Sequence, residues 1–193
     1  MSLAIALVVA AYLVGSISFA VVVARRRGVD LRAIGSGNLG ATNVGRALGR
    51  RAGWTVLVLD ALKGAAPVVL ARAVLHDEPR AVAAVALAAV VGHCFPIWHR
   101  LRGGKGAATG GGALIAAVPV AGAAAFMTFF VLKRISRRAS VGSLGGGLAG
   151  AIVTIALDGT SALAGMALAS LGLVLLRHAD NVERLLRGEE PPS

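Results

Sequence analysis

Long runs of apolar residues, separated by short polar and basic segments, dominate the pattern of this chain. Most of these runs are close to the roughly 20 residues that an α-helix needs to cross the hydrocarbon core of a bilayer. The pattern therefore predicts an all-α, polytopic integral membrane protein. The candidate spans are Leu3 to Ala24, Trp54 to Leu75, Ala81 to Trp98, Ala107 to Leu132, Val141 to Leu157 and Ser161 to Leu176.

The run from Ala107 to Leu132 decides the topology. Taken as one helix, it gives six spans and leaves a basic block outside, against the rule that basic loops stay in the cytoplasm. A break near Pro119 gives about seven segments, including short or broken helices, because proline disfavours helical conformation in the residue before it. All basic segments then lie on one side, so we predict an N-terminus outside and a cytoplasmic basic face. That face comprises residues 25–53, 99–106, 133–140 and the tail from 177.

Composition supports one integral membrane unit over residues 1–193. The chain is 56% hydrophobic, and its mean hydropathy of +0.78 is too high for a soluble domain of this size. Residues 3–24 have the apolar core of a signal peptide, but their length and the lack of a basic start or clear cleavage site favour a retained span. A single cysteine, Cys94, excludes an intramolecular disulfide.

The formal net charge of +11 does not indicate a nucleic-acid partner. The basic residues lie in short blocks between apolar runs, as the positive-inside rule requires. We therefore predict no nucleic-acid partner and expect this charge to attract anionic substrates or the headgroups of membrane lipids.

Two glycine-rich segments carry the candidate chemistry. Glycine lets backbone amides crowd around an anion, Arg46 and Lys105 supply positive charge, and Ser, Thr and Asn supply neutral donors. Together they predict binding of phosphate groups at the membrane surface. The residues are Gly35, Ser36, Gly37, Asn38, Thr42, Asn43 and Arg46 in the first segment, and Gly103, Gly104, Lys105 and Gly106 in the second.

Other polar residues near the spans have alternative interpretations. His178 and Asn181 follow the last span three residues apart and share a face if the helix continues, although a histidine acting only as a membrane anchor is an alternative. Asp60 and Lys63 are spaced for a charge-neutralising ion pair within a helix, and a role in supporting the site from below is the alternative, because charge inside a membrane is costly. His93 is as consistent with closing a helix end as with function.

Several chemistries lack candidates in the sequence. The spacing of a nucleotide-binding P-loop is absent, as are a Ser/His/Asp triad, a cysteine nucleophile and metal-ligand spacing. We therefore predict no metal and no cofactor. A small transporter or channel for an anionic phosphorylated metabolite stays as an alternative, because basic glycine loops also build transport sites.

The motifs resemble those of the bacterial acyl-phosphate:glycerol-3-phosphate acyltransferase family, nearly end to end. The resemblance rests on Tyr12 to Phe19, on both glycine-rich segments with Gly92 to Pro96, on Ser140 to Ser143, and on the tail from Arg177 to Glu190. Departures are Ala179-Asp180, where relatives often carry a further basic or polar residue, and the loose Gly110 to Gly112 segment.

The resemblance implies a seven-helix membrane enzyme with a cytoplasmic active site. Such an enzyme transfers a fatty acyl group from acyl-phosphate to the 1-hydroxyl of sn-glycerol 3-phosphate, releasing lysophosphatidate and inorganic phosphate without coenzyme A or a metal. Residues 103–106 would form its phosphate loop, Ser36, Arg46 and Ser143 would contact substrate, and Glu190 would support the fold. His178 and Asn181 would lie beside the reacting groups.

The chemistry of this donor agrees with the residues. An acyl-phosphate is already activated, so it needs positioning and charge neutralisation more than a protein nucleophile. We expect Arg46 and Lys105 to hold the two phosphates and His178 and Asn181 to orient the hydroxyl and the carbonyl. The expected setting is the bacterial inner membrane, with the protein as a monomer. The catalytic set is predicted to be Ser36, Arg46, Lys105, His178 and Asn181.

Overall fold

Helices account for all the regular secondary structure in the computed structural model, which describes residues 2–76 and 78–193. The all-α prediction is therefore confirmed for this part of the chain. A short 3-10 turn, Ile97–His99, follows the fifth helix. The α-helices are α1 Ser2–Gly15, α2 Phe19–Arg25, α3 Ala41–Leu48, α4 Arg50–Val74, α5 Pro79–Cys94, α6 Ala107–Ala117, α7 Pro119–Ser136, α8 Ala139–Asp158, α9 Ala162–Arg177 and α10 Ala179–Leu186.

The apolar helices have the lengths that membrane spans need. Five stretches among the described residues are long and apolar enough to cross a bilayer, namely Leu3–Arg25, Arg50–Val74, Pro79–His99, Pro119–Ser136 and Ala139–Asp158. Helices α9 and α10 together give a sixth, although the chain bends by 61° between them. Helix α6 is a further apolar segment, but it is short. The number of crossings and the outside N-terminus stay predictions.

Two breaks within apolar runs need separate explanations. The predicted run from Leu3 to Ala24 is interrupted at residues 16–18, where Ser16 donates to the carbonyl of Tyr12 and Ser18 caps α2 by accepting from the amide of Val21. The predicted break near Pro119 is confirmed, because α6 ends at Ala117 and α7 begins at Pro119. Proline suits the first turn of a helix, where its missing N–H costs nothing.

Helix α6 has 11 residues, so it is about 16 Å long and too short to cross the hydrocarbon core. Its C-terminal carbonyls would lack partners within an apolar environment. Arg72 of α4 donates from Nη1 to the carbonyl of Ala116 at 2.9 Å. A side chain from a neighbouring helix thus satisfies one of the exposed carbonyls of α6.

Small residues let the helices pack closely at two glycine clusters, residues 110–112 and 145–147. A Cβ added at Gly112 would overlap the carbonyl of Ala61 on α4, and one at Gly146 would lie 2.6 Å from the carbonyl of Ala125 on α7. Gly110 and Gly147 differ, because the nearest atom to an added Cβ belongs to a side chain, 3.8 Å away at Val90 and 3.1 Å away at Leu171. Close backbone packing therefore requires glycine at only some positions of each cluster.

Large apolar side chains cover the outside of the helices, with examples at Val69, Val120, Met127 and Ile152, each more than half exposed. Such a surface is expected where lipid is the solvent. The basic segments meet at one end of the bundle. Arg177 contacts Gly103 and Gly104, and residue 193 contacts Arg137.

Candidate active site

The first glycine-rich segment folds into a loop held by one buried side chain. The amide of Asn43 on α3 donates to the carbonyls of Leu31 and Ile34, at 3.1 and 3.0 Å. Its oxygen accepts from the backbone N–H of Ser36 at 3.2 Å. Because Asn43 is only 1% exposed and its amide is engaged on both sides, we interpret it as a residue that shapes the loop and leaves Ser36 to face the cavity.

The second glycine-rich segment is tied to the end of α5. The N–H groups of Gly103 and Gly104 donate to the carbonyls of Cys94 and His93, at 3.2 and 3.1 Å. Gly104 lies directly against the ring of His93, since an added Cβ would overlap its Nε2. The backbone of this loop is thus fixed from the membrane side.

Arg177 fixes the same loop from the other side. Its guanidinium donates from Nε to the carbonyl of Gly104 at 3.1 Å and from Nη2 to that of Gly103 at 2.9 Å. It also stacks on the ring of Phe95, 5.6 Å from the centroid. The sequence alone does not reveal this role, because an arginine at the end of the last span looks like an ordinary membrane anchor.

Lys105 lies at the N-terminus of α6. Gly106 caps this helix with a φ of 83°, a left-handed conformation that side chains with a Cβ rarely adopt. The first-turn N–H groups of a helix have no intrahelical partners and favour anions. Lys105 donates to the side-chain oxygen of Asn181. Burial, together with the positive charge of Arg184, lowers the pKa of Lys105 to about 8.

The last polar residues surround the bend between α9 and α10. His178 lies at the bend, so the two residues do not share one straight continuing helix, yet both side chains line the same cavity. The ring Nδ1 of His178 lies 2.7 Å from the carbonyl of Val174. Because a carbonyl oxygen only accepts, this nitrogen carries the proton, and Nε2 of the neutral ring is an acceptor.

Glu190 joins three elements through its carboxylate. One oxygen accepts from the amide of Asn181 at 2.6 Å and from the hydroxyl of Ser140 at 3.0 Å. The other accepts from Nε of Arg184 at 2.8 Å. Burial raises the pKa of Glu190, but the donors from Arg184, Asn181 and Ser140 outweigh it and hold the pKa below its usual value. These contacts are of the kind expected of structural support.

Residues 190–192, here called the C-terminal strap, lie across the polar end of the site. Arg46 donates from Nη2 to the carbonyls of Pro191 and Pro192, at 3.3 and 2.8 Å. Arg138 donates from Nε to the carbonyl of Glu190 at 3.0 Å. The guanidinium of Arg46 therefore contacts the strap while it borders the site.

One cavity of about 640 Å³, here called the main cavity, brings most of the predicted residues together. Its polar end holds predicted residues from both glycine-rich segments, α8 and the tail, together with Asp60. These are Gly35, Ser36, Asn38, Thr42, Asn43, Arg46, Lys105, Gly106, Ser143, His178, Asn181 and Glu190. Its other end is apolar and is bounded by Leu114, Ala125, Ala151, Met166 and Ala167.

Four predicted residues do not line the main cavity: Gly37, Gly103, Gly104 and Lys63. The Nζ atom of Lys63 lies 2.9 Å from Oδ1 of Asp60, as the spacing of the two residues predicted. The same ammonium group donates to the carbonyl of Ile17 at 2.6 Å. Close to this pair, His93 shares a hydrogen bond of 3.1 Å with Thr109 at the start of α6. His93 also borders the main cavity, so both of its interpretations stay open.

Comparison with known proteins agrees with this geometry. The model of the family described as glycerol-3-phosphate acyltransferase matches residues 5–188. The chain is 48% identical to the glycerol-3-phosphate acyltransferase of Myxococcus xanthus, covering 96% of this chain and 97% of that protein. It is 44% identical to that of Rubrobacter xylanophilus, covering 97% of this chain and 94% of the relative.

Two crystal structures share this fold. Both are of PlsY, an integral membrane glycerol 3-phosphate acyltransferase, one in its glycerol 3-phosphate form and one in its lysophosphatidic acid form. The first has a TM-score of 0.95 and 36% identity, covering 98% of this chain and 95% of the other. The second has a TM-score of 0.92 and 35% identity, covering 98% of this chain and 94% of the other.

These matches favour the enzyme over the transporter that the sequence analysis kept as an alternative. They cover nearly the whole chain, including both glycine-rich segments and the residues around the helix bend. The chain is an integral membrane enzyme that belongs to the glycerol-3-phosphate acyltransferase family.

Proposed function

We propose that this enzyme transfers a fatty acyl group from acyl-phosphate to the 1-hydroxyl of sn-glycerol 3-phosphate, giving lysophosphatidate and inorganic phosphate. The observation that supports this most is the main cavity, whose cationic end continues into an apolar end. An acyl-phosphate has the same two parts, a charged head and a hydrocarbon chain. The PlsY structures in glycerol 3-phosphate and lysophosphatidic acid forms give the acceptor and product classes.

The two phosphates are assigned to Lys105 and Arg46, because the third cation that lines the main cavity, Arg184, is paired with Glu190. Lys105 offers a point charge at the N-terminus of α6, where helix amides favour an anion. Arg46 offers a planar fork that matches two phosphate oxygens. Ser36, Asn38, Thr42 and Ser143 supply neutral donors around the same space. The apolar end takes the acyl chain.

The reaction forms one C–O bond and breaks another. The 1-hydroxyl oxygen attacks the acyl carbonyl carbon, and the bond from that carbon to the phosphate oxygen breaks. The hydroxyl proton passes to a phosphate oxygen, so inorganic phosphate leaves as the protonated product. His178 accepts a hydrogen bond from the hydroxyl through Nε2 and fixes its direction, while Asn181 holds Lys105 and orients the carbonyl.

The proposal includes an orientation in the membrane and an oligomeric state. The basic end of the bundle faces the cytoplasm and the N-terminus lies outside, because basic segments are retained on the cytoplasmic side. The enzyme acts as a single domain and as a monomer in the bacterial inner membrane.

The test is phosphate release by the purified protein in lipid vesicles. Palmitoyl-phosphate is supplied with and without glycerol 3-phosphate, and inorganic phosphate and lysophosphatidate are both measured. We expect release that depends on glycerol 3-phosphate, equals the lysophosphatidate formed, and is lost in Lys105→Ala. Palmitoyl-coenzyme A serves as a parallel donor.

Two results would contradict the proposal. Lysophosphatidate formed from palmitoyl-coenzyme A but not from palmitoyl-phosphate would show that the donor is wrong. Flux of glycerol 3-phosphate across the vesicle membrane without any acyl transfer would instead favour transport. A circular dichroism spectrum of Lys105→Ala that matches the parent protein rules out misfolding as the cause of its inactivity.

A further inference from the structure

A second cavity of about 430 Å³, here called the basic vestibule, adjoins the main cavity. The two cavities share Ser36, Asn38, Lys105 and Arg184. Gly37 and Gly103, which do not line the main cavity, border the vestibule instead. Both glycine-rich segments thus lie between the vestibule and the proposed reaction centre.

The vestibule is strongly cationic. Five basic side chains line it, those of Arg32, Arg102, Lys105, Arg177 and Arg184, against the single carboxylate of Asp180. Each positive charge raises the free energy needed to place another one beside it. Burial, together with this repulsion, lowers the pKa of Lys105. An arrangement of this kind is stabilised when an anion enters.

The five cations are not equivalent. The guanidinium of Arg177 already donates to the carbonyls of Gly103 and Gly104, and Arg184 forms an ion pair with Glu190. Within residues 2–76 and 78–193, no hydrogen bond or ion pair involves the side chain of Arg32 or Arg102, although both line the vestibule. These two guanidinium groups are therefore available to a ligand.

The lining of the vestibule indicates a small, water-soluble ligand. The lining is predominantly charged or polar, with Leu39 and Leu176 among its few large apolar members, so it offers little surface to an acyl chain. Arginine binds phosphate oxygens with two donors in a fixed fork. A phosphate ester with a short polar body fits this chemistry.

We propose that the basic vestibule is a recruitment site for glycerol 3-phosphate, in which Arg32 and Arg102 bind its phosphate before the substrate reaches Lys105. This inference rests on the proposed function. It assigns the water-soluble substrate an approach separate from that of the acyl donor, whose chain lies in the apolar end of the main cavity. Arg32 and Arg102 act in capture of the substrate and not in the chemical step.

The test compares two double variants that lose the same charge. Arg32→Gln/Arg102→Gln removes both free guanidinium groups of the vestibule. The control, Arg26→Gln/Arg100→Gln, removes two exposed arginines of the same basic face that line neither cavity. The vestibule variant should lose about tenfold in kcat/KM for glycerol 3-phosphate, through KM, with kcat and the KM for palmitoyl-phosphate unchanged.

Three further measurements test the same capture of substrate by charge. Raising ionic strength should lower kcat/KM in the parent and control but have a smaller effect in the vestibule variant. Inorganic phosphate should compete with glycerol 3-phosphate less well in the vestibule variant if both use the site; unchanged competition assigns the site to the ester alone. Arg32→Lys/Arg102→Lys should recover most of the loss, because the charges return.

The inference is overturned if the vestibule variant keeps the parent KM and salt dependence, or if the control variant loses as much as the vestibule variant. A fall in kcat alone would also overturn it, since it would place these arginines in chemistry or folding. Failure of the parent protein to acylate glycerol 3-phosphate would instead contradict the proposed function, so the two failures are distinguishable.

Discussion

Lys105 combines two properties that oppose each other. Its proposed role at the start of α6 is to bind phosphate, yet burial and the nearby Arg184 make its charged form costly. Its pKa of about 8 lies well below the ordinary value of a lysine. The lysine therefore loses its proton within a range of pH that experiments can reach.

The first prediction concerns this titration. Lys105 is charged below its pKa and neutral above it, so phosphate binding should weaken as pH rises through about 8. Because kcat/KM reports groups of the free enzyme, a profile of kcat/KM against pH should show an alkaline limb there. In Lys105→Arg that limb should move upward or disappear, since arginine stays charged. An unchanged limb in this variant would assign the titration to another group.

Glu190 is predicted to act through the groups it holds. Glu190→Gln leaves one oxygen acceptor where the carboxylate accepts from Ser140, Asn181 and Arg184. We expect a loss of about 1 to 3 kcal/mol in the free energy of unfolding. We also expect a lower kcat/KM, because Asn181 loses its support.

The neighbouring Glu189 provides a matched control, since it is exposed and its replacement by Gln removes the same charge. Thermal unfolding in detergent and acyl transfer are the two measurements. Equal effects of Glu189→Gln and Glu190→Gln would mean that net charge, and not the buried contacts, causes the loss.

The charged residues of the site were predictable, but their exact tasks were only partly so. Arg46 and Lys105 were singled out because positive charge next to glycines and polar donors points to phosphate chemistry. His178 was singled out because it follows the last span, three residues before Asn181. Arg177 was missed, since nothing in the sequence separates an arginine that holds carbonyls from a membrane anchor. Asn43 was instead predicted to bind phosphate, whereas its amide donates to the carbonyls of Leu31 and Ile34. These contacts depend on a loop conformation that the spacing of residues does not reveal.

Helix α6 depends on the absence of a side chain where it meets α4. A Cβ at Gly112 would overlap the backbone of Ala61, whereas one at Gly110 would lie 3.8 Å from its nearest neighbour, Val90. We therefore expect Gly112→Ala to destabilise the protein by about 1 to 3 kcal/mol, the usual cost of overpacking. Gly110→Ala should be neutral or slightly stabilising, because alanine favours helix.

Thermal unfolding of the two variants, whose substitutions lie two residues apart in the same helix, is the measurement. Equal stability would show that α4 and α6 separate enough to admit a methyl group. The packing explanation for this glycine would then be wrong.

A helix boundary could be predicted from the sequence only where a particular residue ends or begins a helix for local reasons. Pro119 ends one helix and begins the next for local reasons, so the break was predictable. The bend between α9 and α10 was not, because no proline or glycine marks residues 177–179. There the chain turns to bring Asn181 to Lys105 and Glu190, which are tertiary contacts.

The topology proposed for the whole protein can be tested with its own chemistry. The only cysteine, Cys94, is buried, so the parent should react poorly with a maleimide that cannot cross membranes. Thr160→Cys, in the exposed turn between α8 and α9, should react in intact spheroplasts. Leu186→Cys, in α10 and 84% exposed, should react only after the membrane is opened. The reverse pattern would invert the proposed orientation.

The short α6 links the site to the thickness of the membrane. Its first turn adjoins the second glycine-rich segment, while its last turn is bonded by Arg72 to the C-terminal part of α4. A helix held at both ends cannot lengthen to follow a thicker bilayer. A thicker bilayer should tilt or displace α6 and misplace Lys105. Turnover in vesicles of increasing lipid chain length should pass through an optimum, whereas a flat profile would contradict the idea. An enzyme that starts phospholipid synthesis would then sense, mechanically, the membrane that its product goes on to build.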